Sequence, residues 1–339
     1  MDIPIQNVYY LLCYAWDRLE ERDIVNVDAD GSADVLNLLA SVLVSGTTHL
    51  RKRGLDRGYV LHHEWTGNLR GRIDFTGALQ RGRITAMLPC EFDELSHDVL
   101  HNRILKSTLR VLLRAEGLTP KTDDAVAAIY RTLGGIGEVE LSPSVFDRVQ
   151  LHRNNQFYGF LLKVCELVLR NLLPAERGEP LKFRDFLRDE RQMRVLYENF
   201  IRNFYDRESR FEVKRDGLGW RWKPVDENSR RLLPKMQTDA TLTYGTRRII
   251  VECKFTPEAT QRHYEAEKLR SGHLYQLHAY LENLTGPNVE TCEAMLLYPS
   301  TGTDLRAEFI DGRRRISVRT INLNQPWPAI HRDLLELVA

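Results

Sequence analysis

The stretch that decides the fold is Lys235-Met236-Gln237-Thr238-Asp239-Ala240-Thr241-Leu242-Thr243-Tyr244-Gly245-Thr246-Arg247-Arg248-Ile249-Ile250-Val251-Glu252-Cys253-Lys254. Met236, Thr238, Ala240, Leu242 and Tyr244 interleave with Gln237, Asp239, Thr241 and Thr243, the period of a strand. Gly245-Thr246 supplies a two-residue turn, and Arg248 to Phe255 is a second β-rich run, so the segment predicts a hairpin. Tyr244 then faces Arg247, and counting outward sets Asp239 directly opposite Glu252. Facing residues have Cβ atoms about 5 Å apart, where two bare carboxylates repel. A divalent cation shared between them removes that penalty. Lys254 points to the same face as Glu252, and Cys253 to the other. An ammonium there can stabilise charge developing on a phosphorane or help deprotonate a water.

Asp followed by Glu-x-Lys is a short pattern that arises by chance in many chains, so its surroundings carry the weight. An amphipathic helix over 189–205 precedes it, with Met193, Leu196, Tyr197, Phe200, Ile201 and Phe204 on one face and Glu198 at the flank. A second helix follows over 271–284, with Leu274, Leu277, Leu281 and Leu284 at helical spacing, and Ala294 to Tyr298 reads as a buried strand. Helix, hairpin, helix, strand is the order of the PD-(D/E)xK nuclease core, a mixed central sheet flanked by helices. The second helix carries Gln276-x-x-x-Tyr280, which resembles the Q-x-x-x-Y element of RecB-like members. Residues four apart share a helix face, so Gln276 and Tyr280 either reach the site together or form an ordinary polar helix edge.

Over 339 residues the net charge is only +1, which excludes a polycationic surface and leaves any nucleic-acid contact to local clusters. No apolar run approaches 18 residues and the start lacks the n- and h-regions of a signal peptide, so a cytoplasmic protein with no membrane contact is expected. Cys13, Cys90, Cys165, Cys253 and Cys292 are scattered without C-x-x-C spacing, which argues against a zinc ribbon, an iron–sulfur cluster or a disulfide framework. The chain has no G-x-x-x-x-G-K-[ST] loop, so it does not hydrolyse nucleotides by that route, and no H-E-x-x-H or G-x-S-x-G.

Upstream, the pattern predicts helices over 7–19, from a cap at Asp34 through Leu43, over 98–115, over 123–133 and over 155–173. Strands are expected at Tyr59 to Trp65 and Arg83 to Phe92, flanking a glycine-bracketed basic bend, Gly67 to Phe75. His62-His63-Glu64 is read as structural, because neighbouring strand residues point to opposite faces. Arg51-Lys52-Arg53-Gly54 reads as a basic turn, either solvated or in contact with phosphate or a protein partner. Pro174 to Pro180 reads as a loop, and Arg313-Arg314-Arg315 as a turn or a phosphate contact before a strand over 316–323 and a helix over 328–338. The expectation is an α/β chain with two domains, an α+β domain at 1–154 and a nuclease domain at 155–339.

The ordered set Pro4-Ile5-Gln6-Asn7-Val8-Tyr9-Tyr10-Leu11-Leu12, Tyr14-Ala15-Trp16, Gly71-Arg72-Ile73-Asp74-Phe75, Asn102-Arg103-Ile104-Leu105-Lys106-Ser107-Thr108-Leu109, Leu233-Pro234-Lys235-Met236-x-Thr238-Asp239, Leu274-Tyr275-Gln276-Leu277 and Gln325-x-Trp327-Pro328 resembles the McrC family along nearly its whole length. McrC is the nuclease subunit of McrBC modification-dependent restriction systems. The resemblance implies a C-terminal PD-(D/E)xK endonuclease acting on double-stranded DNA with Mg²⁺ or Mn²⁺. It also implies an N-terminal domain that docks into an McrB-like AAA+ GTPase hexamer and stimulates it, with GTP bound by that partner. Asp239, Glu252 and Lys254 fall on the family's catalytic positions, with Glu252 where members often have Asp. Asp239, Glu252 and the Cys253 carbonyl are the expected metal ligands. Glu198 aligns with a helix carboxylate found in many nucleases of this fold. Arg51, Lys52, Arg53, Arg70 and Arg72 are the natural candidates for partner docking. The alternatives are a degenerate adaptor that only activates a motor, and a stand-alone RecB-like nuclease; the intact catalytic triplet and the large N-terminal domain weigh against them.

Overall fold

The structure, a computed structural model, describes residues 3–19, 34–75, 87–173, 181–256, 260–263, 266–285, 291–302 and 304–339. The chain forms two compact units, Met1–Arg22 with Asp185–Ala339, and Asp23–Arg184. Among the described residues, no helix is long and apolar enough to cross a membrane.

Helix α1 (Ile5–Ala15) belongs to the first unit. The first described helix of the second unit is α2 (Val35–Arg53), capped by the Asp34 carboxylate, which accepts from the Asn37 amide at 2.9 Å. Strands β1 (Gly58–Thr66), β2 (Arg72–Ile73) and β3 (Leu88–Ser96) form an antiparallel sheet in the order β1-β3-β2. Helices α3 (Leu100–Leu112), α4 (Pro120–Arg131), α5 (Pro143–Asp147) and α6 (Gln156–Asn171) complete it with the short pair β4 (Leu172–Leu173) and β5 (Lys182–Phe183). Gly46 lets α2 and α6 close on each other, since a Cβ there would lie 2.4 Å from a Leu161 methyl. The Asn102-to-Leu109 motif is the unit's internal brace. Asn102 donates to the carbonyls of Asp56 and His97 and accepts from the buried Tyr158 hydroxyl at 2.7 Å. Arg103 makes two 2.7 Å bonds to Asp98, and Ser107 accepts from the Val139 amide.

The chain then returns to the first unit through α7 (Glu190–Glu208), β6 (Glu212–Lys214), β7 (Gly217–Leu218), α8 (Glu227–Leu232) and β8 (Met236–Gln237). Next come β9 (Ala240–Tyr244), β10 (Arg247–Cys253), a hairpin of β11 (Thr260–His263) and β12 (Ala266–Leu269), and α9 (Ser271–Asn283). Strands β13 (Glu293–Ser300), β14 (Arg306–Asp311) and β15 (Arg314–Asn322) and helix α10 (Trp327–Glu336) finish it. The central sheet is mixed, in the order β14-β15-β13-β10-β9-β6, parallel between β10, β13 and β15 and antiparallel elsewhere. Helix α7 packs against β6, β9 and β10, and α9 packs on β13. Ile250 of β10 shares a core cluster with Leu277, Tyr280 and Leu281 of α9. Strand alternation therefore turns the even-numbered residues of β10 toward α9.

The expected boundary near residue 155 falls inside the second unit, because the apolar face of α6 packs on α2 and α3. Helix α1, expected in the N-terminal domain, instead joins the first unit. Its Asn7 amide donates to the Leu323 and Gln325 carbonyls, Tyr10 stacks on Trp327 at 4.5 Å, and the Tyr14 hydroxyl donates to Glu208 at 2.7 Å. Arg51-Lys52-Arg53 is the exposed last turn of α2 rather than a loop, and Gly54 stops the helix at φ 95°. Cations suit that end, where unpaired carbonyls concentrate negative charge. The strand expected over 83–92 runs over Leu88–Ser96, with 76–86 outside the described residues, as is the loop expected at 174–180. Of the arginine triplet, Arg314 and Arg315 open β15, and Arg314 pairs with Glu282 at 2.8 Å.

Candidate active site

The hairpin register is the one read from the turn: Tyr244 pairs with Arg247, and the ladder runs to Ala240 opposite Val251. It stops one rung short of Asp239 and Glu252. The run expected as one strand over 236–244 is broken there. Lys214 pairs with Thr241 and Gly217 with Gln237, leaving three residues on one strand, 238–240, against two on the other. The surplus residue is a β-bulge, which re-aims side chains at a sheet's interruption. Thr238 fixes it, donating its amide to the Asp216 carbonyl and accepting the Asp216 amide on Oγ1, both at 3.0 Å. Thr238 also shares a hydrogen bond with Thr241 at 3.0 Å. Released from the ladder, the Asp239 carboxylate turns to accept the backbone amide of Cys253 at 2.8 Å.

Glu252 is the last even-numbered residue of β10, 2% exposed. Lys254 continues on the same face, and its Nζ donates to Glu252 Oε1 at 2.6 Å and to Gln276 Oε1 at 2.7 Å. Gln276 donates from Nε2 to the Tyr280 hydroxyl at 2.7 Å, and that hydroxyl donates to the Gln237 carbonyl at 2.9 Å. The pair four apart on α9 thus reaches the site as a positioning relay, tying Lys254 to the strand that leads into Asp239.

The electrostatics are those of carboxylates drawn out of water with cations around them. Burial, with repulsion from Asp239, pushes the Glu252 carboxyl up to about 8, despite the Lys254 ammonium beside it. Asp239 is also raised by burial, against the pull of the Cys253 amide. Glu198 on α7 joins them, raised by burial and then by Asp239. Glu252 Oε2 is buried without a hydrogen-bond partner. A buried carboxylate oxygen without a partner, next to the Asp239 carboxylate, offers the hard oxygen donors that a divalent cation takes. For Cys253, expected to offer its carbonyl, the structure shows its amide fixing Asp239.

Two cations at this site escaped the sequence reading. Arg202 lies one helical turn beyond Glu198 and directs its guanidinium at the Asp239 carbonyl, 3.5 Å away; that i, i+4 spacing was the available signal. Arg215 stands exposed opposite the bulge, and its charge lowers the proton affinity of Asp239 and Glu198. His273, at the start of α9, bonds the Tyr298 hydroxyl at 2.8 Å and is held neutral, lowered to about 4 by burial and then by Lys254 and Arg270. The other basic candidates lie in the second unit. Arg51, Lys52, Arg53 and Arg72 are exposed, while Arg70 lies 4.3 Å over the Phe92 ring and 3.8 Å from Glu64.

Comparison with known proteins places this geometry in a family. The chain is 34% identical over 337 residues to the "Type IV methyl-directed restriction enzyme EcoKMcrBC" of Escherichia coli (strain K12), covering 99% of this chain and 97% of that relative. Its fold is similar to a chain of the refined half-complex from a tetradecameric assembly of Thermococcus gammatolerans McrB AAA+ hexamers with bound McrC. The TM-score is 0.59 at 17% identity, covering 99% of this chain and 76% of that one. Residues 6–299 match the family described as "McrBC 5-methylcytosine restriction system component". The match takes in both units and the whole carboxylate site, and the chain belongs to that McrBC family.

Proposed function

We propose that this chain is the DNA-cleaving subunit of a McrBC-type restriction system: a Mg²⁺-dependent endonuclease with a PD-(D/E)xK core, which docks on a McrB-like AAA+ GTPase hexamer and stimulates it. The observation that carries the reading is the convergence of Asp239, Glu252 and Lys254, with an unpartnered buried oxygen on Glu252. An adaptor gains nothing from burying such a cluster, since each unpaired buried carboxylate costs stability. A divalent cation held by Asp239, Glu252 and the Cys253 carbonyl would polarise the phosphodiester and acidify a water. Lys254, held between Glu252 and Gln276, brings a fixed positive charge and three N–H donors to the place where a phosphorane gathers negative charge. Glu198 and Asp239, both raised by burial, hold a proton more tightly than free carboxylates do. The partner is supported by family membership and by the solved assembly in which McrC is bound to McrB hexamers; GTP belongs to that partner. Duplex DNA nicking by the chain mixed with its GTPase, with GTP and Mg²⁺, tests the reading. Cleavage should require all three and vanish with chelator; cleavage that persists in chelator contradicts it.

A further inference from the structure

Residues 215–235 leave the sheet at the Asp239 bulge and return to it as an arm. Pairing of Gly217 with Gln237 and Leu218 with Met236 closes its base, and the Trp220 indole N–H ties its limbs by donating to the Pro234 carbonyl at 2.7 Å. Arg221 secures it to the end of α9, its amide donating to Asn283 Oδ1 at 2.8 Å and its guanidinium to the Glu282 carbonyl at 3.2 Å. Trp220 packs against the core cluster, and Trp222 lies on Trp220 with ring centroids 4.6 Å apart. Trp222 is nonetheless 66% exposed, Val225 and Leu232 stand out in solvent, and α8 buries no residue. The arm therefore holds a large ring outward on a fixed support without gaining core burial.

The charge around that ring says what it meets. The arm carries Arg215, Arg221, Lys223, Arg230, Arg231 and Lys235 against Asp216, Asp226 and Glu227, a surplus of three positive charges in a chain whose total is +1. All three acids are engaged: Asp216 pairs with Arg248 at 2.7 Å, Asp226 caps α8 by accepting the Ser229 amide at 2.7 Å, and the exposed Glu227 lies 3.6 Å from Arg230 and 3.8 Å from Arg231. Exposed cations around an exposed aromatic match a phosphate backbone with bases beside it. A protein surface covering Trp222, Val225 and Leu232 would not call for the surplus charge. Lys235 is four residues from Asp239, so a short run of chain joins the arm to the carboxylates.

The geometry points to residues 215–235 as a duplex-DNA-binding arm, which grips the phosphates flanking the bond to be cut and packs Trp222 against sugar and base edges in the groove. It rests on the proposed DNA cleavage and adds where the substrate is held. The test is a titration of the full chain against a labelled duplex with Ca²⁺ in place of Mg²⁺, by fluorescence anisotropy over a series of salt concentrations. Each phosphate left without its cation lowers the slope of log K against log salt by about 0.9, so K223Q/R230Q/R231Q should flatten the slope by roughly 2 to 3. Trp222→Ala should weaken binding several-fold with the slope unchanged. Both variants should unfold at the wild-type temperature, and both should hydrolyse the small diester bis-p-nitrophenyl phosphate with Mn²⁺ at the wild-type rate. Unchanged DNA affinity and slope in the charge variant overturn the arm, as does loss of GTPase association in its place. Failure of the wild-type protein to hydrolyse the small diester overturns the nuclease reading instead, so the two failures are distinguishable.

Discussion

The side-chain amide of Asn7 donates to the backbone carbonyl of Leu323 at 2.8 Å, across 316 residues of sequence. The same amide reaches Gln325, and the Tyr10 ring stacks on Trp327 in the next helix. The first helix therefore closes the unit that carries the carboxylates. Asn7→Ala leaves the Leu323 carbonyl buried and unsatisfied, a cost of about 1–3 kcal/mol. The midpoint of denaturant unfolding of that unit should fall accordingly. A variant as stable as wild type would show that the first helix is only laid on the surface.

The Glu252 carboxyl gives the metal-free protein a definite pH dependence. Its folded value of about 8 lies above the ordinary 4.5, so the folded state binds the proton more tightly throughout that window. The resulting contribution to stability is present in full below the window and is lost as pH rises through it. Glu252→Gln removes the titration and should raise the melting temperature of chelated protein at pH 8 more than at pH 5. Mg²⁺ should stabilise wild type most at the upper end, where the carboxyl yields its proton readily. Equal melting temperatures for variant and wild type at both pH values would contradict this account of the pocket.

Much of this site could be read from local sequence, because the Gly245-Thr246 turn fixes the register and alternation then assigns Glu252 and Lys254 to one face. The bulge at Asp239 could not, since it depends on Lys214, Asp216 and Gly217 pairing from another segment. Placement of the first helix failed for the same reason: its apolar stripe is plain, but the partner stripe lies at the other end of the chain. At Arg51 to Arg53 the sequence showed charge where the backbone kept helical geometry, and Gly54 marked the true stop. The edge strand β14 went unread because its alternation, mostly of exposed residues, carries little hydrophobic contrast.

Gln276 holds one of the two acceptors of Lys254, and Tyr280 holds Gln276. Gln276→Ala should lower the turnover of DNA cleavage by roughly ten-fold, equivalent to about 1.4 kcal/mol of barrier, with the Mg²⁺ concentration dependence unchanged. Tyr280→Phe, which keeps the ring and removes the hydroxyl relay, should have a smaller effect in the same direction. A shift in Mg²⁺ dependence without a fall in saturated turnover would show that the pair serves the cation and not the lysine.

Arg51, Arg53, Arg70 and Arg72 project from the second unit at a helix end and beside a bend. Reversing the charge at the first pair or at the second should reduce stimulation of a McrB-like GTPase, a step sensitive to an inserted or displaced cation. Hydrolysis of a small activated phosphodiester by the same variants should stay at the wild-type rate. Steady-state GTPase assays with full-length proteins check this, and stimulation unaffected by both reversals would place the docking surface elsewhere.

The convergence of Asp239, Glu252 and Lys254 is tested most directly by nicking of a supercoiled plasmid under single-turnover conditions, with the GTPase partner, GTP and Mg²⁺ at saturation. Asp239→Ala, Glu252→Ala and Lys254→Ala are compared with wild type, each variant first shown to be folded and to stimulate GTP hydrolysis normally. The expected result is loss of cleavage in all three with GTPase stimulation retained. Cleavage at the wild-type rate in Lys254→Ala would contradict the assignment of this cluster as the hydrolytic centre.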